Sequence, residues 1–251
     1  MYKINLVKFS VIGLACVLCL VTFEAGDTQA NDKDITSYSM AETTTLHEPV
    51  IIYFNVSNVM TQPLKIDLGR NSKGAFRLAV TDPDGNRAQI SSLDMPREGI
   101  SFSGLVTLDP GESFKKPLVL NEWCEFSKVG KYLIELELNS TLQTLGGEIV
   151  PATRKFSANL KVTPRDTERL KNICESLVQQ VLASTSYQQS AEAAATLSYV
   201  KDPIAVRYLE KVLESHKMVE QYAITGLRRV GNSDAVHILI STIEKQERET
   251  A

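Results

Sequence analysis

Hydrophobic residues recur with two different periods along the chain, and the period changes within residues 162–168. Before this segment, apolar residues occupy alternate positions, which is typical of half-buried β-strands; after it, they recur every third or fourth position, as in amphipathic helices. Pro164 cannot donate a ladder hydrogen bond and therefore suits the end of a strand. Asp166 suits a helix N-cap, and Glu168 suits the first turn. The pattern predicts a multidomain chain in which a β-domain is followed by an α-domain.

The alternating residues predict several short strands before this boundary. The clearest runs from Tyr132 to Leu138, where glutamates interleave with apolar residues. Similar runs lie at 50–56, 64–68, 76–80, 118–120 and 156–162. Seven or eight strands at this spacing, with no helical period between them, predict an antiparallel β-sandwich of the immunoglobulin type over residues 31–164.

Two short motifs resemble the late strands of bacterial immunoglobulin-like domains. They are residues 108–112 (LDPGE) and residues 130–132 (GKY), where Gly-x-Tyr opens the penultimate strand of that family. The resemblance covers roughly residues 35–163 and implies that the Tyr132 hydroxyl ties to a loop backbone. One family of this appearance comprises small proteinase inhibitors of the sandwich type.

Residues 165–251 are expected to form a short α-helical repeat domain. The helical segments are predicted near 167–183, 188–200, 203–214, 217–230 and 234–246. Two units match at a shift of 30 residues; Val206 matches Val236, and Leu209 matches Leu239. These units resemble HEAT-like repeats of the short bilin-lyase kind, which implies protein partners held along a helical face. An unrelated pair of helical hairpins is the alternative.

The turns between helices carry capping residues at matching positions. Asp202 followed by Pro203 predicts an N-cap and a first-turn proline, and Ser233 or Asp234 is expected to cap the later unit. The first helix is expected to act as a half-repeat cap, because two repeats alone rarely bury a continuous core. The polar tail 244–249 should cap the open end or fray.

Residues 1–30 have the pattern of a secretory signal peptide. Lys3 and Lys8 precede an apolar run at 9–23, and Thr28-Gln29-Ala30 offers a small-residue cleavage site. The apolar run is short of the ~20 residues that span a bilayer. We therefore expect a periplasmic or secreted protein with no membrane span after cleavage. Lipid attachment at Cys16 is the less favoured alternative.

Composition narrows the choice of partners. The net charge of −3 and the lack of a basic stretch disfavour nucleic acid as a partner. Cys124 and Cys174 alone would remain after signal cleavage, either as a bridge between the two domains or as buried thiols. Two cysteines without a histidine at metal-binding spacing predict no metal site and no cofactor.

The sequence contains no motif that specifies a catalytic site. It lacks a Gly-x-Ser-x-Gly elbow, a His-Glu-x-x-His pair and a phosphate-binding glycine loop. The segment 82–86 is predicted to be a hairpin turn, because Leu93 stands where a calcium-binding loop needs glutamate. An enzyme would have to use scattered carboxylates such as Asp109, Glu122 and Glu125, and their spacing does not select them. We therefore expect no enzyme.

The favoured prediction is a non-enzymatic protein-binding or scaffold protein, whose oligomeric state the sequence leaves open. The repeat alignment and one loop tryptophan give the candidate partner-contacting residues. They are Tyr199, Arg207, Lys211, Tyr222, Arg228, Arg229 and Trp123. A single tryptophan beside a cysteine in such a loop more often packs over the end of the sandwich than contacts a partner. The alternative function is a sandwich-type proteinase inhibitor acting through its loops.

Overall fold

A computed structural model describes residues 35–69, 74–90, 104–215 and 217–250. The predicted signal peptide and Cys16 lie outside these residues. Within the described part of the chain, no helix is both long enough and apolar enough to cross a membrane.

The described N-terminal part consists of strands. They are β1 (Thr36–Met40), β2 (Thr43–Thr45), β3 (Ile51–Ser57), β4 (Leu64–Asp67), β5 (Phe76–Thr81), β6 (Leu105–Leu108), β7 (Ser113–Val119), β8 (Gly130–Leu138), β9 (Leu142–Thr144), β10 (Ile149–Val150) and β11 (Lys155–Thr163). A short 3-10 turn, Leu120–Glu122, follows β7. The alternation of apolar and polar residues matches the burial pattern of these strands. In β3 every second residue is buried, because successive side chains point to opposite faces of the sheet.

The strands form three sheets, with orders β1-β3-β7, β10-β9-β4-β6 and β2-β11-β8-β5. Every pairing is antiparallel except that of β2 with β11, which is parallel from Thr43↔Lys161 to Thr45↔Thr163. The expectation of a purely antiparallel arrangement was therefore wrong at this edge. The parallel pairing places an early segment of the chain beside the last strand before the helices.

Residues from all three sheets contribute to one hydrophobic core, which includes Phe54, Ile66 and Leu136. Tyr132 is also buried there, and its hydroxyl lies 3.1 Å from the Lys128 carbonyl oxygen, to which it donates, and 2.9 Å from the Lys128 amide nitrogen, which donates to it. The predicted tyrosine tie to a loop backbone is confirmed. Asp82 accepts hydrogen bonds from the Asp84 and Asn86 amides, so the 82–86 segment is the predicted turn.

Five helices follow in the described residues. They are α1 (Thr167–Ala183), α2 (Tyr187–Leu197), α3 (Val206–Ser215), α4 (Glu220–Val230) and α5 (Ser233–Thr250), with 3-10 turns at Pro203–Ala205 and Lys217–Val219. Asp166 caps α1 and Asp202 caps the turn before α3, as predicted. The cap of α5 was placed wrongly, because Asn232 accepts the hydrogen bond from the Ala235 amide. The tail is helical to Thr250.

The helices pack in two layers, with α1, α3 and α5 in one and α2 and α4 in the other. Their core includes Leu170, Leu197, Leu209 and Leu227 and shares no residue with the β-sheet core. Gly226 lets α4 approach its neighbours closely. A Cβ added there would lie 2.6 Å from a Leu209 methyl carbon and 3.0 Å from the Ser198 Cα.

Candidate protein-binding surface

Two of the predicted contact residues, Arg207 and Lys211, meet on α3. They are one helical turn apart, so they share a face, and both side chains are exposed. Between them lies the buried ring of Tyr208, 4.6 Å from the Arg207 guanidinium carbon and 5.8 Å from the Lys211 ammonium. These distances allow cation–π attraction, which fixes two positive charges at one surface position.

Tyr208 also links α3 to α1 through a hydrogen-bond chain. The Arg207 guanidinium donates to the Tyr208 hydroxyl at 2.6 Å, and that hydroxyl donates to the Glu175 carboxylate at 3.0 Å. Burial and the hydrogen bond to Glu175 raise the pKa of Tyr208 above its ordinary value, although Arg207 opposes the change. The phenol therefore stays protonated at neutral pH and keeps Arg207 in place.

A shallow groove of about 430 Å³ lies next to Arg207, between α3 and α5. Pro203, Ile204, Val206 and Ile238 supply its apolar lining, and Arg207, Glu210 and Asp234 supply its charged groups. The groove is open to solvent and combines apolar surface with charges of both signs. Such a surface suits a short peptide segment better than a small apolar molecule, which needs a more enclosed pocket.

Tyr199 and Arg229 form a second pair, in the layer of α2 and α4. The Arg229 guanidinium carbon lies 3.8 Å from the centre of the Tyr199 ring, and the guanidinium donates to the Ser198 hydroxyl at 2.8 Å. It also donates to the Ser198 carbonyl oxygen at 3.2 Å. These contacts use much of the donor capacity of Arg229 to join the ends of α2 and α4, so this pair acts chiefly in packing.

The other three predicted residues are dispersed. Tyr222 is half-buried against the helical core, whereas Arg228 is exposed near the end of α4. Trp123 is only 2% exposed and belongs to the β-sheet core. Its indole packs inside the β-part, which is the other arrangement the sequence left open, and in this structure it is not available to a partner.

The individual contacts that join the strands to the helices were not predicted from the sequence. We call this region the junction: residues 43–48 with 164–169, together with the turn 201–202. The buried Glu48 carboxylate accepts two hydrogen bonds from the Arg169 guanidinium, at 2.7 and 3.0 Å, and one from the Thr45 amide at 3.0 Å. A bidentate, charge-assisted pair of this geometry fixes orientation as well as distance.

Backbone and hydroxyl contacts extend the junction. The Thr45 hydroxyl donates to the Pro164 carbonyl oxygen at 2.6 Å and accepts from the Asp166 amide at 2.8 Å. His47, with a positive φ of 73°, presents its carbonyl oxygen to the Lys201 amide at 3.3 Å. The segment after β2 therefore contacts both the start of α1 and the turn before α3.

Asp202 organises the helical side of the junction. Its carboxylate is 1% exposed and accepts from the Arg165 guanidinium at 2.6 and 3.0 Å and from the Ile204 amide at 3.0 Å. Burial alone would raise the pKa of Asp202, but the hydrogen bonds from Arg165 and Ile204 outweigh burial and lower it below its ordinary value. The carboxylate is therefore ionised at neutral pH.

The two described cysteines are free thiols in separate cores. Cys124 lies in the β-sheet core and Cys174 in the helical core, where they are 5% and 0% exposed. Burial raises the pKa of each thiol to about 12. The bridge considered from the sequence is not formed, and both thiols are protonated and shielded at neutral pH.

The carboxylates considered for an enzyme do not converge in the described residues. Glu125 pairs with Lys201 at 2.9 Å across the two parts of the chain, and the Asp109 amide bonds to the Glu112 carboxylate at 2.8 Å. Among the residues the structure describes, no group of three or more histidine, cysteine or acidic side chains is placed to hold a metal ion.

No family model matches the sequence, and no curated protein matches it. Similar solved structures include a CARDB domain from Pyrococcus furiosus in complex with di-metal ions, 11% identical, with a TM-score of 0.28 over 55% of this chain and 98% of that one. Escherichia coli alpha-2-macroglobulin is 11% identical, with a TM-score of 0.30 over 78% and 16%. Astrotactin-2, a vertebrate-specific, perforin-like membrane protein, is 12% identical, with a TM-score of 0.20 over 81% and 35%. At these TM-scores the similarities do not indicate what this chain does. A proposal about its function therefore depends on the geometry of the chain itself.

Proposed function

We propose that this chain is an exported, non-enzymatic binding protein, in which an immunoglobulin-like β-sandwich carries a short HEAT-like stack. The stack would bind a short segment of a partner protein in the groove between α3 and α5. The observation that carries the proposal is the pair of exposed cations, Arg207 and Lys211, fixed over Tyr208 beside that groove.

The architecture assigned here rests on three features. The three sheets share one core, and the Tyr132 hydroxyl makes the loop tie that immunoglobulin-like domains use. The helices alternate between two layers, as stacked helical pairs do. Small residues, above all Gly226, allow the close approach of α4 that the HEAT-like resemblance implies.

The groove chemistry favours a particular kind of segment. Pro203, Ile204 and Ile238 offer apolar surface to one side chain of the partner. Arg207 and Lys211 offer donors to a carboxylate about one helical turn away. We therefore expect the preferred segment to contain an apolar residue close to Asp or Glu.

The junction supports a binding role because it holds the stack in a defined orientation. A surface fixed in this way loses little conformational entropy when it binds. Export rests on the pattern of residues 1–30 alone. The alternative, a proteinase inhibitor acting through its loops, receives no support from the loop before β8, because Trp123 and Phe126 are both buried.

Selection from a displayed library of random peptides would test the proposal, with the full chain as bait. Enriched peptides should combine an apolar and an acidic residue. Their affinity, measured by fluorescence polarisation, should fall about tenfold or more for Arg207→Glu, since one desolvated, charge-assisted contact contributes roughly 1.4 kcal/mol or more.

Lys245→Glu is the matched control, because it makes the same change of charge on α5 at an exposed position outside the groove. It should leave peptide affinity within about twofold. No enrichment, or equal loss of affinity in both variants, would contradict the proposed site. Inhibition of a panel of secreted proteases by the full chain would instead support the alternative function.

A further inference from the structure

The last helix, α5, carries an exposed apolar stripe. Val236, Ile240 and Ile243 are 45%, 51% and 57% exposed. Their spacing of four and three residues places them on one face of the helix. Removing such side chains from water is favourable, so a stripe of three on one face marks a surface suited to a contact.

The 30-residue repeat relates this face of α5 to the face of α3 that packs against α5. Val206 and Glu210 of α3 line the groove against α5. Their counterparts at a shift of 30 are Val236 and Ile240. The stripe is therefore the position at which a further helix of the same layer would pack against α5, in the way that α5 packs against α3.

The neighbouring layer does not offer a matching apolar surface. Ser198, the residue directly after α2, is contacted by Arg229 and lies next to Gly226 of α4. Its counterpart at a shift of 30 is Arg228, an exposed arginine. A whole two-helix repeat would have to cover this charged side chain, which is costly, whereas a single helix can cover the stripe and leave Arg228 in water.

We propose that the occupant is a second copy of this chain, with α5 packed antiparallel against the partner's α5. A two-fold axis at Ile240 would place Val236 against the partner's Ile243 and Ile240 against its own copy. The charges beside the stripe favour this direction. Glu244 would face the partner's His237, a possible hydrogen-bond donor, and Glu247 would lie near the positive N-terminal end of the partner's α5.

A parallel pairing would set identical residues of the contact face side by side, with Glu247, which follows Ile243 by four residues on that face, against the partner's Glu247. Like charges at that spacing repel, and this disfavours the parallel arrangement. Three apolar residues from each copy make a small interface, well below the ~1,600 Å² of a standard complex. We therefore expect a concentration-dependent dimer with a Kd on the order of 100 µM.

Sedimentation equilibrium of the full chain tests self-association. The average mass should rise from that of the monomer towards that of the dimer as the concentration passes the Kd. Ile240→Lys should weaken association at least tenfold, whereas Ser241→Lys, the adjacent exposed position off the stripe, should change it less than threefold. A wild-type protein that stays monomeric up to millimolar concentration, or equal effects of the two variants, would overturn the proposal.

Cysteine cross-linking tests the direction of pairing. Cys16 and Cys19 are first replaced by serine, and the buried Cys124 and Cys174 are left in place. Under mild oxidation, Ile240→Cys should form a cross-linked dimer by itself. Val236→Cys and Ile243→Cys should cross-link efficiently only when the two proteins are mixed.

The exposed Lys245→Cys is the control for random collision. Cross-linking of Val236→Cys alone, at the level of Ile240→Cys, would indicate a parallel pair and overturn the proposed arrangement. Cross-linking of Ile240→Cys no faster than Lys245→Cys would indicate that another molecule, and not a second copy, covers the stripe.

Discussion

The junction and the outer face of α5 are two boundary regions of the helical part, and their chemistry is opposite. At the junction, buried Glu48 and Asp202 each hold an arginine through two hydrogen bonds. At α5, Val236, Ile240 and Ile243 face solvent. One region is closed by charged pairs within the chain, and the other is left apolar and uncovered.

This difference indicates where stability and association should reside. A buried carboxylate that loses its cation destabilises the fold, because the remaining charge is left unpaired in a poorly solvated position. Replacing an exposed isoleucine changes the free energy of unfolding little, because about half of its side chain is already in contact with water in the folded state. Substitutions at the junction should therefore change unfolding, and substitutions on the α5 stripe should change association.

The largest effect is expected for Arg169→Ala. This change leaves the Glu48 carboxylate buried with only the Thr45 amide as a donor. We expect the free energy of unfolding to fall by about 2–3 kcal/mol, less than for a fully buried pair because the Arg169 side chain is 35% exposed. Urea denaturation followed by circular dichroism measures this change.

Thiol labelling can follow the two cores separately, because Cys124 reports on the strands and Cys174 on the helices. Both thiols should become reactive at the same urea concentration in the wild-type protein and at different concentrations in Arg169→Ala. The control is Lys171→Ala, which removes an exposed pair with Glu168 on the same helix and should cost less than about 0.5 kcal/mol. Coincident labelling in Arg169→Ala would show that the junction does not couple the two parts.

Gly226→Ala tests the packing inside the stack. The new methyl group would meet Leu209 and Ser198 at distances that force one of them to move. Overpacking costs about 1–3 kcal/mol, and the better helix propensity of alanine returns about 1 kcal/mol. We expect a net loss of about 1 kcal/mol in urea denaturation. Gln221→Ala, at an exposed position on α4, should show no loss; an equal change in both variants would contradict the close approach of α4.

Asp202 should make the fold sensitive to acid. Its pKa is lowered in the folded state, so its contribution to stability is fully present above the unfolded value of about 3.9 and is lost as pH falls through the lower folded value. Urea denaturation from pH 5 to pH 2.5 should show a steeper loss in the wild type than in Asp202→Asn. Identical slopes would show that the Arg165 pair does not stabilise the ionised carboxylate. Asp234→Asn, at an exposed position, is the control.

The smallest effect on unfolding is expected on the α5 stripe. Ile240→Ser, at a position that is 51% exposed, should change the free energy of unfolding by no more than about 0.5 kcal/mol in dilute protein. The measurement is urea denaturation at a concentration well below the proposed dimer Kd. A loss as large as that of Arg169→Ala would show that the stripe already packs within one chain, and the contrast between the two regions would fail.

Strands with a strict apolar alternation were predictable, and strands buried through polar side chains were not. Residues 132–138 were assigned within two residues of β8, because alternate side chains enter the core. Five of the described strands were missed. The strands β1 and β2 have buried positions that include Thr36, Thr44 and Thr45, and β6, β9 and β10 are only two to four residues long. A threonine does not count as a hydrophobic residue in a sequence pattern, although it packs well at a buried position of a β-strand.

The candidate surface was predictable only where neighbours lie on one helix. Arg207 and Lys211 are four residues apart, so their common face follows from helical geometry. Glu48 and Arg169 are 121 positions apart in the sequence, so no local sequence pattern predicts that they pair. The sequence left both arrangements of Trp123 open for the same reason: whether a loop aromatic is covered depends on distant strands.

The same separation has a consequence for the time course of folding. During synthesis, Glu48 and β2 leave the ribosome more than a hundred residues before Arg169 and β11, which complete their pairings. Contacts that close so long a loop form slowly, because most of the chain must be ordered first. A nascent chain halted before residue 155 would expose to water the Glu48 carboxylate and the edges of β2 and β8 that β11 later pairs, and these would be the features for a chaperone to shield.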